Sequence, residues 1–335
     1  MTDKRRKRIL VAQHEHGLPY SKGLTASSLM ITGLGPAKSY LVANEVEQAL
    51  LASTADKISE DGLGELTLEI LRREAGEKYA RLFLKWQSVA DLDVPLIILL
   101  GGAAGVGKST LATQLASRLG ITRVISTDAV REILRSAFTA EMFPTLYSSS
   151  FEADRAVRQP IPHSGDRLII GFREQAAAVA VGAKALIDRA IAEGTDLILE
   201  GAHLVPGFLE NMERKDALIV PLLLVVENEE LHRSHFYWRA RDVRSRPGER
   251  YLKNFEKIRR IQGYMMSSAR VRGVPTISHI DLDATLTEIV DHVVDSALRM
   301  VGKESHEDEG PASHLAGTAP EDLDKEGSSA RETVS

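Results

Sequence analysis

An α/β fold built on a five-stranded parallel sheet, preceded by a small α-rich domain, is predicted for this 335-residue chain. Three observations predict it. After Pro95, apolar runs of strand length alternate with amphipathic helical patterns, as crossover-connected parallel strands require. One of those runs, LIILLG, leads directly into a glycine-rich turn and a helix. The longest apolar stretch, ALIVPLLLVV (217–226), has the length of a strand and falls short of a membrane span.

The elements follow in order. RILVAQHEHGLPYSKG (8–23) reads as a short strand, a turn and a second extended piece. LTASSLMITG, PAKSYLVANEVEQALLAS and LGELTLEILRREAGEKYARLFLKW read as helices. In the second, Tyr40, Ala43, Val46, Ala49 and Leu50 recur at helical spacing and give one apolar face. A small domain over 1–90 is expected, with the polar SVADLDVP (88–95) connecting it to a sheet domain over 95–302. There LIILLG is the first strand and TLATQLASRLG a helix ended by Gly120. TRVIST is the second strand and DAVREILRSAF its helix, with Thr127 a candidate cap. An irregular segment (139–168) precedes a long helix, GFREQAAAVAVGAKALIDRAIAEG, and the strand DLILEG. ALIVPLLLVV, an Arg-rich helical region and a last strand, PTISH, complete the pattern. Ligands in such sheets bind at the carboxyl ends of the strands.

Composition narrows the function. The net charge is −5, which argues against a general nucleic-acid binder. Residues 303–335 carry nine acidic and three basic side chains and contribute −6, leaving the remainder at +1. That tail has no aromatic residue, is rich in Gly, Ser and Pro, and is expected to be disordered. There is no cysteine, which fits a reducing compartment. Without a signal-peptide pattern or a membrane-length run, the sequence reads as a soluble cytoplasmic protein. KRRKR (4–8) reads as a solvated end. His14-Glu15-His16 has no further ligand nearby, so a zinc site is rejected. The oligomeric state is left open.

Gly102-Ala103-Ala104-Gly105-Val106-Gly107-Lys108-Ser109 satisfies G-x-x-x-x-G-K-[ST] at every position, between an apolar strand and an amphipathic helix. Gly105 and Gly107 let successive backbone N–H groups converge on phosphate oxygens. Lys108 adds a point charge at the β/γ phosphates, and the Ser109 hydroxyl suits Mg²⁺. Thr110 completes the nucleotide-binding set, and the helix opens its positive end onto the same place. A dinucleotide site is the competing use of such a turn, but it lacks the Lys-Ser pair.

A phosphate cradle needs a destination for the terminal phosphate. Asp128, in ISTDAVREILR, stands at a strand end and at the mouth of a helix. It could orient an alcohol and accept its proton, or merely complement the helix dipole. Arg131 and Arg135, four apart on that helix, are either solvated or poised to grip an anionic substrate. Glu200 ends LILEG and either supports the magnesium's water shell or anchors a loop; His203 follows it as a loop histidine. The Arg-rich stretch 227–272 fits a lid over the phosphates, with Arg239, Arg241 and Arg244 as candidates.

GGAAGVGKST, ISTDAVREILR, FREQAAAVAVGAKALIDRAI and LILEGAHLVPG, in that order, resemble the 2-phosphoglycerate kinases. HGLPYSKGLTASSL and AKSYLVANEVEQALL are similar to the ATP-cone, a nucleotide-binding regulatory module. The resemblance spans about Lys7 to Val301. It implies an ATP- and Mg²⁺-dependent kinase that phosphorylates the free hydroxyl of 2-phosphoglycerate to give 2,3-bisphosphoglycerate. An acceptor with a phosphate and a carboxylate calls for arginines, which Arg131, Arg135, Arg155, Arg158, Arg167 and Arg173 can supply. In the cone, Lys22 of PYSKG matches a phosphate-holding basic residue or is an exposed turn lysine. Two rivals remain: a kinase of another hydroxylated metabolite, and an ATP-sensing regulatory protein without catalysis.

Overall fold

The structure, a computed structural model, describes residues 9–13, 16–90, 92–161, 163, 165–209, 214–242 and 248–307. Strands β1 (Leu10–Gln13) and β2 (His16–Pro19) fall where a strand and a second extended piece are expected, and they pair antiparallel. A third strand, β3 (Lys57–Ser59), joins β1 in parallel; at three residues it carries too short a pattern to be read from sequence. Helix α2 (Pro36–Ala52) follows the predicted span, whereas α1 (Lys22–Met30) starts before the pattern LTASSLMITG, taking in Lys22, and ends before its last residues. The single helical pattern expected next is divided at Gly76, giving α3 (Glu60–Ala75) and α4 (Glu77–Ala90). Leu29, Val42, Val46, Leu71 and Phe83 form an apolar core of their own within this part.

The second sheet holds five parallel strands in the order β5-β6-β4-β7-β8: β4 (Leu96–Gly101), β5 (Val124–Ser126), β6 (Leu197–Gly201), β7 (Leu218–Val225) and β8 (Thr276–Ser278). Central β4 is buried throughout, and its side chains alternate between two layers. Ile98 and Leu100 pack with Leu111 and Leu115 of α5 (Lys108–Leu119) and with Leu286 and Val293 of α11 (Leu282–Glu307). Ile97 and Leu99 pack with Ala183, Ile187 and Ile191 of α7 (Arg167–Ala192) on the opposite face. Each such Leu or Ile stabilises the fold by roughly 1.5–3 kcal/mol relative to exposure.

The remaining helices are α6 (Thr127–Ala137), α8 (Glu229–Asp242), α9 (Gly248–Lys253) and α10 (Phe255–Arg272). Within the segment expected to be irregular lie two 3-10 helices, Pro144–Tyr147 and Ser150–Ala156. The helical face of α1 packs against α5, and α4 against α11, so the two parts of the chain touch at the helix that follows the glycine-rich loop. Helix α11 continues to Glu307; residues 308–335, most of the acidic tail, lie outside the described residues, as do KRRKR, His14 and Glu15. No helix among the described residues is long and apolar enough to cross a membrane.

Register brings the functional positions to one edge. Glu200 sits opposite both Leu100 and Ser126, and Gly201 opposite Gly101. The carboxyl ends of β4, β5 and β6 therefore present the glycine-rich loop, Asp128 and Glu200 side by side.

Candidate phosphate and acceptor site

The loop 102–107 turns sharply enough that Gly105 adopts a φ of 82°, in the left-handed region. A side chain is also excluded there by space, since a Cβ would lie 2.3 Å from the Phe236 ring. Gly107 opens α5 at the head of the helix. Lys108 is nearly buried, and its Nζ donates to the Ala103 carbonyl at 2.7 Å, so the ammonium is folded over its own loop. Val106 is buried, while Ser109 and Thr110 are exposed at the start of the helix.

A brace for this loop comes from α8. The His232 ring donates through Nε2 to Ala104 O (2.8 Å), and the His235 ring donates through Nδ1 to Gly105 O (2.9 Å). Carbonyls only accept, so these bonds fix which nitrogen carries the proton. On the far side of His232, Arg259 NH1 approaches Nδ1 at 3.5 Å while also donating to Val226 O. Phe236 stacks beside His232 and closes over Gly105. With their carbonyls drawn outward, residues 104 and 105 keep their carbonyl dipoles off the cradle. Burial holds the His232 pKa down at about 4, opposed by the bond to Ala104 and reinforced by the Arg259 charge. Sequence reasoning missed this brace. Its signal was the i, i+3, i+4 spacing of His232, His235 and Phe236, which places all three on one helix face.

Ser109 Oγ donates to Glu200 Oε1 at 2.9 Å, and Glu200 is only 7 % exposed. A hydroxyl and a buried carboxylate at the mouth of a phosphate loop form a hard-oxygen pair of the kind Mg²⁺ takes, alongside phosphate oxygens and water.

The residues expected to meet an acceptor come from separated segments. Asp128, in the first turn of α6, is more than half exposed, and Arg131 Nε lies 3.6 Å from its Oδ1 without a hydrogen bond. Arg131 NH1 donates to Leu146 O (3.2 Å) and Ser148 O (2.9 Å), clipping the first 3-10 helix to α6. Arg135 pairs with Glu132 at 2.7 Å and stacks its guanidinium on Tyr147. Arg173 is exposed on α7. Arg155 pairs with Glu152, while Arg158 and Arg167 donate to backbone carbonyls of the same segment. Thr127 does not cap α6, contrary to the sequence reading. Ser126 does, accepting from Ala129 N at 3.1 Å, because Thr127 has already turned inward and is fully buried. Its Oγ1 meets His203 Nδ1 at 2.9 Å, and His203 Nε2 meets Gln175 Oε1 at 3.2 Å. Gly201 makes room for this contact: its φ is 154°, and a Cβ would collide with the Thr127 hydroxyl. His203 is pushed down to about 4, first by burial, with Asp128 raising and Arg131 and Lys108 lowering it. Charges from both sides of the site thus reach one imidazole.

Of the lid candidates, Arg239 and Arg241 fall on the course of α8 with side chains outside the described residues, and Arg244 lies outside them altogether. Beyond that gap, Arg250 of α9 bonds Glu152 and Ser149 of the acceptor-side segment. Lys22 is the first residue of α1, not part of a turn. Its ammonium pairs with Glu47 (2.7 Å), bonds Asn44 (3.3 Å) and lies over the Tyr40 ring. A cavity of about 810 Å³, bordered by Leu204, Pro221, Arg272, His292 and Arg299, contains no residue of the phosphate loop.

Comparison with known proteins gives three consistent findings beside a family model. The model described as an AAA domain matches residues 97–221. A 2-phosphoglycerate kinase from Methanothermobacter thermautotrophicus is 39% identical over 274 residues, covering 81% of this chain and 89% of the relative. One from Methanopyrus kandleri is 37% identical over 295 residues, covering 88% and 89%. Another, from Methanocaldococcus jannaschii, is 35% identical over 319 residues, covering 95% and 98%.

Proposed function

The chain belongs to the 2-phosphoglycerate kinase family, and we propose from that premise that it transfers the γ-phosphoryl group of ATP to the free hydroxyl of 2-phosphoglycerate. The products are ADP and 2,3-bisphosphoglycerate. The observation that carries the reading is the Ser109–Glu200 pair at the mouth of a complete phosphate loop, with Asp128 at the neighbouring strand end. The residues fit a magnesium nucleotide: Ser109 and Glu200 would hold the ion directly or through water. When bound, Mg²⁺ neutralises charge on the β and γ phosphates.

The chain's own residues account for the remaining work. The amides of 102–110 cradle the phosphates, and Lys108 exchanges the Ala103 carbonyl for phosphate oxygens. Asp128 orients the acceptor hydroxyl and takes its proton as the oxygen attacks phosphorus; the β–γ bridging oxygen leaves with ADP. Arg131, Arg135 and Arg173, on α6 and α7, provide the cationic field for an acceptor bearing a phosphate and a carboxylate. Arg239, Arg241 and Arg244 are proposed to close over the transferring group. We further propose a division into a cone-like regulatory domain (1–90), a kinase domain (95–302) and an acidic tail, and a cytoplasmic setting. The packing of α1 against α5 supports a route by which nucleotide near Lys22 would bias the phosphate loop.

The test is a coupled ADP-release screen across phosphorylated and unphosphorylated hydroxy acids, with Lys108→Ala as blank. Turnover with 2-phosphoglycerate well above every other acceptor is expected. ADP release indifferent to the acceptor would refute the reading.

A further inference from the structure

We propose that His203 is a positioning residue for the acceptor side, holding Asp128 and the segment 144–156 in one arrangement through a chain of buried hydrogen bonds. Thr127, His203 and Gln175 are each almost wholly buried. Gln175 Nε2 donates to Thr145 O (2.6 Å) and Ser148 O (2.8 Å), so its Oε1 is the atom turned toward His203 and must accept. The imidazole therefore carries its proton on Nε2. Its Nδ1 accepts from the Thr127 hydroxyl. Every side-chain polar atom of Thr127, His203 and Gln175 has a partner, and each bond has a single direction.

The chain comes back beside its start, the last step being the Arg131–Asp128 ion pair and not a hydrogen bond. Thr127 is adjacent to Asp128 in sequence, and the Ser148 carbonyl reached through Gln175 is the one that Arg131 NH1 binds. Arg131 in turn faces Asp128. Strand end, α6, α7 and the first 3-10 helix are joined at one imidazole that touches no solvent. A buried network of this kind specifies one geometry because breaking any member leaves an unsatisfied group. The Cβ that Gly201 lacks would occupy the place of the Thr127 hydroxyl, so the backbone at the end of β6 is shaped to admit this contact.

The inference rests on the reading that Asp128 faces the acceptor, and the experiment separates the two. Thr127→Val keeps shape and removes the hydroxyl; Thr127→Ser restores it; His203→Phe removes both ring bonds. In Thr127→Val and His203→Phe, kcat/KM for 2-phosphoglycerate should fall on the order of 10²-fold, as misplacement of about 1 Å does. ATP affinity should stay within about twofold, because the loop's brace is on α8. Thr127→Ser should recover most of the loss. Amide exchange over 144–156 should quicken in Thr127→Val and return to normal in Thr127→Ser, whatever the acceptor is. Equal loss for both substrates, or unchanged kinetics together with unchanged exchange, would overturn the proposal. If the unmodified chain does not turn over 2-phosphoglycerate, the functional reading fails, and the exchange result alone decides the role of His203.

Discussion

The two halves of the site are built in opposite ways. The phosphate side is one contiguous stretch, 102–110, with its shape written into glycines and then fixed from outside by His232, His235 and Phe236. The side proposed for the acceptor draws on the ends of β5 and β6, on α6 and α7, and on the 3-10 segment, held together by Thr127, His203, Gln175 and Arg131. A contiguous device can be recognised by spacing. A dispersed one has no spacing to recognise, and its specificity depends on buried bonds between distant residues.

The contrast predicts separable defects. The largest effect is expected for Asp128→Asn, which keeps size and polarity but removes the proposed proton acceptor. Turnover should fall roughly 10²–10⁴-fold while ATP affinity by calorimetry is retained; a matching loss of ATP affinity would merge the two halves. Lys108→Ala should cost about 10²–10³-fold in kcat, as loss of a preorganised charge at a reacting phosphate does, and here ATP affinity should fall with it.

Gly105→Ala tests the phosphate side alone. The methyl meets the Phe236 ring at a φ unsuited to alanine, a strain of about 1–3 kcal/mol. A lower melting temperature and weaker ATP binding should follow, with KM for the acceptor unchanged. Substrate titrations after thermal melting would show it.

One property should be common to both halves. His203 and His232 are each held at about 4 by burial, below the ordinary value of 6.5. The unfolded chain then binds protons that the folded chain refuses as pH falls from 6.5 toward 4. Their contribution to stability should be flat above pH 6.5 and decline as pH falls through that window, and His232→Gln should flatten part of the slope. Denaturation midpoints that do not change with pH would contradict both assignments. The smallest effect is expected for Arg135→Ala. Its guanidinium is engaged with Glu132 and Tyr147, so stability should change by less than about 1 kcal/mol, and the acceptor KM should shift less than for Arg173→Ala.

Legibility followed the same divide. Alternating runs were sufficient to place all five parallel strands, since β4 and β7 are buried over nearly their whole length and read as plain apolar blocks. Strand β3 was missed because three residues have no detectable period. The break at Gly76 was missed because the apolar stripe resumes on the following helix. Glu200 and Asp128 were visible as acids at strand ends. The partnership of Thr127 with His203 was not, because a buried hydroxyl beside a helix start looks like a cap until its neighbour across 76 residues is known.

The central claim is tested most directly by following the γ-phosphate itself. With γ-labelled ATP, Mg²⁺ and 2-phosphoglycerate, phosphorus NMR should show the label entering 2,3-bisphosphoglycerate with unmodified protein and not with Asp128→Asn, although both bind ATP. Label appearing only as inorganic phosphate, or transfer undiminished in Asp128→Asn, would contradict the account.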